Sequence, residues 1–159
     1  LLELGHKNIA FIDGLKDSQH GSNRLKGVKK ALKLKDLKLS EELLKFGDFH
    51  TEDGYKSMQE ILALPKEKWP TAVFAASDNQ AIGVLQAMEE KGLKAPEDIA
   101  VIGYDNIELA KYLKITTIWQ PMYQLGHLAI EVLLRAINGE LESKFSRELE
   151  LKLLKRETA

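Results

Sequence analysis

Short apolar runs alternate with helix-length amphipathic segments along most of this chain, and that alternation constrains its fold more than any other feature. KNIAFID (7–13), ELLKFGD (42–48), TAVFAAS (71–77) and IAVIGYD (99–105) are strand-sized. Most are near-continuously apolar and do not alternate with polar residues, so both faces of each strand need cover. Between them lie SNRLKGVKKALKL, TEDGYKSMQEIL and DNQAIGVLQAMEEKG, whose apolar residues recur at helical spacing (Leu25, Val28 and Leu32; Tyr55, Met58 and Leu62; Ile82, Leu85 and Met88). Strand–helix–strand order with doubly buried strands specifies an α/β fold, a doubly wound parallel sheet with right-handed crossovers. The same pattern argues against an antiparallel sandwich or barrel, whose strands would have one wet face.

Helix boundaries are marked locally. Thr51 is an N-cap candidate for the second helix and Asp78 for the third, and Gly92 stops the third. Beyond residue 105 the pattern changes. ITTIWQP (115–121) is a short extended segment halted by Pro121, and MYQLGHLAIEVLLRAINGE (122–140) is a strong helix. Its stripe runs through Met122, Leu125, Ala129, Val132, Leu133 and Ala136, widened by Leu128 and Ile137. RELELKLLKRE (147–157) alternates Leu149, Leu151 and Leu153 with charged neighbours, the pattern of a strand at a sheet edge.

Bulk properties narrow the function classes. At 159 residues the chain can bury a core of its own, and a net charge of −1 without charge blocks gives no electrostatic case for nucleic acid or a membrane surface. It contains no cysteine, which removes disulfides and thiolate metal sites. No apolar run is long enough to span a membrane and no signal peptide is visible. The first residue is Leu1, the start expected of a fragment or a processed product.

In an open parallel sheet, ligands bind outside the carboxyl ends of the strands. The residues just past the four strands are Asp13, Asp48 with Phe49, Ser77 with Asp78, and Asp105 with Asn106; Gln120 ends the later extended segment and Arg24 lies early in the first helix. Each has a purely structural alternative. Asp78 can serve as a helix cap, Asp13 with Gly14 and Asp48 as turn residues, Asn106 as a cap, and Arg24 as a solvated helix residue. Asp105 is the hardest to assign to a turn, because no long helix starts on it. Carboxylates that accept two hydroxyls, a planar guanidinium and an aromatic such as Phe49 or Trp119 suit a polyol. The same acids could instead hold Mg²⁺ for phosphoryl transfer.

Catalytic motifs fail in detail. FIDGL has Phe11 where a haloacid-dehalogenase-like phosphatase needs its nucleophilic aspartate, and GYDNIE lacks the lysine and hydroxyl residue of a receiver domain. The chain has no GxSxG, GxxxxGK[ST] or GxGxxG motif. His6, His20, His50 and His127 show no metal-ligand spacing, so no metal and no cofactor are expected.

The ordered segments ELGHKNIAFI, NRLKGVKKAL, GDF…GY, PTAVFAASDNQAIGVLQAMEEKGLKAPEDIAVIGYDN and ITTIWQPMYQLGHLAIEVLL closely resemble the lactose-repressor (LacI/GalR) family of bacterial transcription regulators, over nearly the whole chain. WQPMYQLG looks most like the catabolite-control-protein branch. The resemblance implies a type I periplasmic-binding-protein-like core of two subdomains with effector in the cleft between them. Residues 1–118 would form the C-terminal subdomain, 119–145 a crossover and a helix of the N-terminal subdomain, and 146–159 a returning edge strand. The DNA-binding headpiece and most of the N-terminal subdomain would lie outside this chain, so operator DNA would be bound only by the full-length parent.

By the same resemblance Arg24 matches the arginine that holds sugar hydroxyls, Phe49 a cleft aromatic, Asp105 the cleft aspartate, Gln120 the crossover glutamine and Met122 an apolar cleft position. Ser77 with Asp78 stands where many members have Asn-Asp. The implied protein is a cytoplasmic homodimer that senses a sugar or sugar phosphate, catalyses nothing, and in the catabolite-control branch answers to a phosphorylated protein co-regulator. A periplasmic or surface sugar-binding protein of the same fold is the main alternative, and a Mg²⁺-dependent phosphotransfer enzyme a remote one. The stripe of the helix at 121–138 is expected to pack on another chain or to fold back on this domain, since bare apolar surface costs on the order of 25 cal/mol per Å².

Overall fold

The computed structural model describes residues 1–16, 19–140 and 146–159. Six strands form one sheet: β1 (Ile9–Asp13), β2 (Leu44–Phe46), β3 (Ala72–Ala75), β4 (Ala100–Asp105), β5 (Thr116–Trp119) and β6 (Lys152–Leu154), in the order β2-β1-β3-β4-β5-β6. The first five run parallel and β6 pairs antiparallel with β5 at the edge. Chain reversal of the sheet order at β1/β3 makes the carboxyl edge there a place where loops diverge and leave a crevice.

The helices are α1 (Gln19–Lys33), α2 (Thr51–Leu62), α3 (Asp78–Glu89), α4 (Glu108–Tyr112) and α5 (Met122–Ile137). One face of the sheet carries the main core. Ala10, Ile12, Val73, Ala75 and Val101 of the strands meet Met58 and Ile61 of α2 and Ala81, Val84 and Met88 of α3, all buried. α2 and α3 approach at two glycines: a Cβ on Gly54 would fall on the Gln80 carbonyl, and one on Gly83 on the Thr51 carbonyl. The alternate strand residues Ile9, Ala72 and Ala100 point to the opposite face, where they meet Leu32 of α1 with Leu1, Leu2 and Val28 beside them.

Several local expectations change. β2 is three residues long, because Glu41–Leu43 coil into a 3₁₀ turn ahead of it. Strand pairing at the tail is confined to Lys152–Leu154, although the alternating pattern starts at Arg147. Thr51 is the first helical residue of α2 and not its cap; Asp53 reaches back to take the N–H groups of Asp48 and His50. Ser77 and not Asp78 caps α3, its hydroxyl accepting from the Gln80 N–H at 3.1 Å. Asn106 caps nothing; α4 starts two residues later, after Ile107. Finally, α5 does not fold back: no residue in it is buried, and Met122, Leu125, Ile130, Leu133, Leu134 and Ile137 are exposed.

Candidate functional site

The carboxyl edge of the sheet gathers one polar cluster. Its centre is Arg24, placed by the second turn of α1 beside the ends of β3 and β4. The guanidinium carbon lies 4.0 Å from the Tyr104 ring centroid and 5.4 Å from that of Phe49. One amino group donates to the Ala76 carbonyl at 3.0 Å, and the other stands 4.0 Å from Asp105 Oδ1. An arginine with aromatic rings on its faces and a backbone anchor on its fork is held in one geometry. Such a guanidinium loses little further freedom on binding a ligand.

Asp105 ends β4 with φ 111° and Asn106 follows at φ 59°, both in the left-handed region that non-glycine residues avoid. This turn aims the Asp105 carboxylate at Gln120, whose amide donates to Oδ1 at 2.6 Å. Burial pushes the Asp105 carboxyl above the ordinary aspartate range. Arg24 and the Gln120 hydrogen bond pull it back, and the charge of Asp78 adds to the rise. A depression of about 380 Å³ opens beside these groups, lined by Asp105, Asn106, Trp119, Gln120 and the exposed Met122.

Phe49 also has a positive φ, 62°. Its carbonyl accepts from the Ser77 hydroxyl at 3.0 Å, while that hydroxyl accepts from Gln80. Ser77 is therefore buried and committed to fixing Phe49 and capping α3. Gln80 adds a second tie, donating from its side-chain amide to the Asp13 carbonyl at 2.9 Å.

Asp78 sits under the cluster and does not face the crevice. It is 0% exposed; Oδ1 accepts from the Thr117 hydroxyl at 2.5 Å and Oδ2 from the Ile107 N–H at 2.8 Å. Burial raises its carboxyl above the usual range. Bonds from Thr117, Ile107 and Asn106, and the charge of Arg156, work against that rise. Asp78 thus ties α3 to β5 and to the loop that follows Asp105. Asp13 is likewise buried, with its carboxylate on the Gly14 N–H at 2.8 Å, which is the turn role. Its carboxyl is raised by burial, against the Gly14 bond and the Arg24 charge.

Of the seven sequence-designated residues, Asp105, Gln120 and Met122 line the depression, Arg24 and Phe49 stack against each other beside Asp105, and Ser77 and Asp78 are buried behind them. Three residues outside that set also shape the site. Tyr104 stacks on Arg24, Thr117 holds Asp78, and Arg156 donates to Asn106 Oδ1 at 2.5 Å and to the Ile115 carbonyl at 2.7 Å. Tyr104 was legible in principle, since strand alternation puts it on the α1 side with Ile102. Arg156 lies in the tail, 50 residues from its partner Asn106, and carries no local signal. Among the described residues no three His, Cys, Asp or Glu side chains converge as a metal site, and no helix is long and apolar enough to cross a membrane.

The family model for the periplasmic binding protein-like domain matches residues 1–159. The chain belongs to that family. Over 158 residues it is 42% identical to the HTH-type transcriptional repressor PurR of Pectobacterium carotovorum, covering 98% of this chain and 46% of that one. The structure of the transcriptional regulator CelR in complex with cellobiose superposes with a TM-score of 0.93 at 34% identity, over 100% of this chain and 49% of that one. The lac repressor dimer bound to operator and an anti-inducer superposes at 0.88 with 31% identity, over 99% and 54%. The chain spans about half the length of these LacI-type regulators and corresponds to their periplasmic-binding-protein-like portion.

Proposed function

We propose that this domain is the effector-sensing part of a LacI-type transcriptional regulator and that it performs no catalysis. The observation that carries the reading is the Arg24 clamp: a guanidinium between Tyr104 and Phe49, 4.0 Å from a carboxylate that Gln120 also holds. A fixed donor fork, an acceptor with lone pairs to spare and aromatic faces match the alternating hydroxyls and apolar ring face of a sugar or sugar phosphate. Cellobiose in the CelR complex supports the same ligand class. Asp13 and Asp78 spend their carboxylates on Gly14, Thr117 and Ile107, which weighs against a shared Mg²⁺ site for phosphoryl transfer.

On this reading residues 1–118 form one subdomain, 119–145 leave it, and 146–159 return to its edge. Effector then bridges the crevice to a second subdomain, and the parent, a cytoplasmic homodimer, changes its affinity for operator DNA. The test is calorimetric titration of a panel of sugars and sugar phosphates against the 159-residue domain and a full-length regulator carrying it. Binding to the full-length protein that disappears with Asp105→Ala is the expected result. Unchanged binding in that variant overturns the site.

A further inference from the structure

The turn that carries the Asp105 carboxylate holds two consecutive non-glycine residues at positive φ, Asp105 at 111° and Asn106 at 59°. Asparagine tolerates the left-handed well, but 111° lies outside it, and such a backbone persists where its surroundings over-determine it. Three side chains pin this turn. Gln120 donates to Asp105 Oδ1 at 2.6 Å, Asp78 Oδ2 accepts from the Ile107 N–H at 2.8 Å, and Arg156 donates to Asn106 Oδ1 at 2.5 Å. Gln120 and Asp78 belong to the site and its support. Arg156 comes from the tail and grips the middle of the turn.

Arg156 is itself fixed. It is half-buried; its backbone N–H donates to the Thr116 hydroxyl at 2.9 Å, and its other amino group donates to the Ile115 carbonyl at 2.7 Å. The residues after it are stitched to β4 and to the start of β5. The Glu157 N–H donates to the Lys114 carbonyl at 3.0 Å. The Thr158 hydroxyl donates to the Val101 carbonyl at 2.7 Å and accepts from the Thr116 N–H at 2.9 Å. The guanidinium thus joins the amino end of β5 to the turn that follows β4. Both of its acceptors are neutral amide oxygens, so through these bonds Arg156 supplies direction and not a salt bridge. A planar fork serves two separate acceptors at once, which a lysine ammonium on a flexible stem does not.

We infer that Arg156 is a positioning residue of the candidate site: by holding Asn106 it fixes the turn that aims the Asp105 carboxylate at Gln120. It does not line the depression itself. Its role in effector sensing rests on the reading of Asp105 as an effector-site carboxylate. The geometry can be measured without effector, so a failed sugar titration and a failed Arg156 link are separate results.

Exchange of the Gln120 side-chain amide with water, followed by NMR in the 159-residue chain, reports whether Asp105 stays in place. Arg156→Lys and Asn106→Gly cut the link from its two ends, and glycine takes φ 59° without strain. Each is expected to speed that exchange about tenfold or more, and the double variant to be no faster than the faster single, because both remove the same bond. Asn106→Gly decides the matter alone if Arg156→Lys does not fold. Thr158→Val strips two bonds from the same tail without touching Asn106. It should lower the urea midpoint and leave the Gln120 amide as in the parent chain. An unchanged amide in either folded single variant overturns the inference. So does additive acceleration in the double variant, which would mean that Arg156 reaches Asp105 by another route. A Thr158→Val amide as fast as that of Arg156→Lys also overturns it, as a general loosening of the sheet.

Discussion

Replacing Thr117 by valine tests whether the buried Asp78 carboxylate is held as the geometry implies. The substitution keeps the shape of a fully buried side chain and deletes one hydroxyl, the donor to Asp78 Oδ1 at 2.5 Å. The oxygen left behind is buried away from water, and stranding such an acceptor costs about 1–3 kcal/mol. For a chain of this size each kcal/mol lowers Tm by roughly 2–4 °C, so about 2 kcal/mol appears as roughly 4–8 °C. Urea denaturation at pH 7 should give the same loss through the midpoint with an unchanged slope, and calorimetry should give the shift in Tm. Thr71 is the comparison: its hydroxyl is bonded to His6 and Asn8 at the exposed surface, where water can replace it, so its valine variant should cost less than Thr117→Val. The pH dependence adds a second signature. Thr117 stabilises the charged carboxylate, so the deficit should be largest at neutral pH and shrink as acid protonates Asp78. A Thr117→Val loss below about 0.5 kcal/mol at pH 7, or one independent of pH, would refute the account.

Burial raises the carboxyls of Asp13, Asp78 and Asp105 above the ordinary aspartate value of 3.8, so the folded chain binds more protons than the unfolded one between that value and each raised pKa. Their contribution is fully present below the ordinary value and is lost as pH rises through the raised ones. The urea midpoint of Asp78→Asn should therefore fall less steeply than that of the parent chain between pH 4 and 7. Gly83→Ala drives a Cβ onto the Thr51 carbonyl and the Tyr55 amide, main-chain atoms that cannot step aside, and should cost about 1–3 kcal/mol in chemical denaturation. Arg24→Lys keeps the charge but loses the planar stack on Tyr104 and the fork; in the full-length regulator it should weaken effector binding about tenfold or more by calorimetry. An unchanged affinity would remove Arg24 from the site.

The sequence by itself determined the α/β class, the strands at the core and the carboxyl edge as the place where the polar candidate residues gather. Those features follow from local periodicity and from the rule that a doubly buried strand reads as a continuous apolar run. It also singled out Phe49, Asp105 and Gln120 by residue type and position after a strand, and Arg24 by its place early in the helix that follows β1. What it left undecided is which of two polar neighbours faces the crevice. Ser77 and Asp78 are adjacent and both polar, and only the packed structure shows Ser77 capping α3 and Asp78 buried against Thr117, 39 residues away in sequence. Local pattern could not reveal the Arg156 tie to Asn106, which joins segments that meet only once the sheet has formed; strand alternation places Tyr104 on the α1 side of β4, but only the packed structure brings it onto Arg24. The fate of α5 was likewise beyond local reading. Its amphipathic period specifies a helix with a face to bury, but whether this domain covers that face depends on where Pro121 sends the chain, and the tertiary structure leaves the face open.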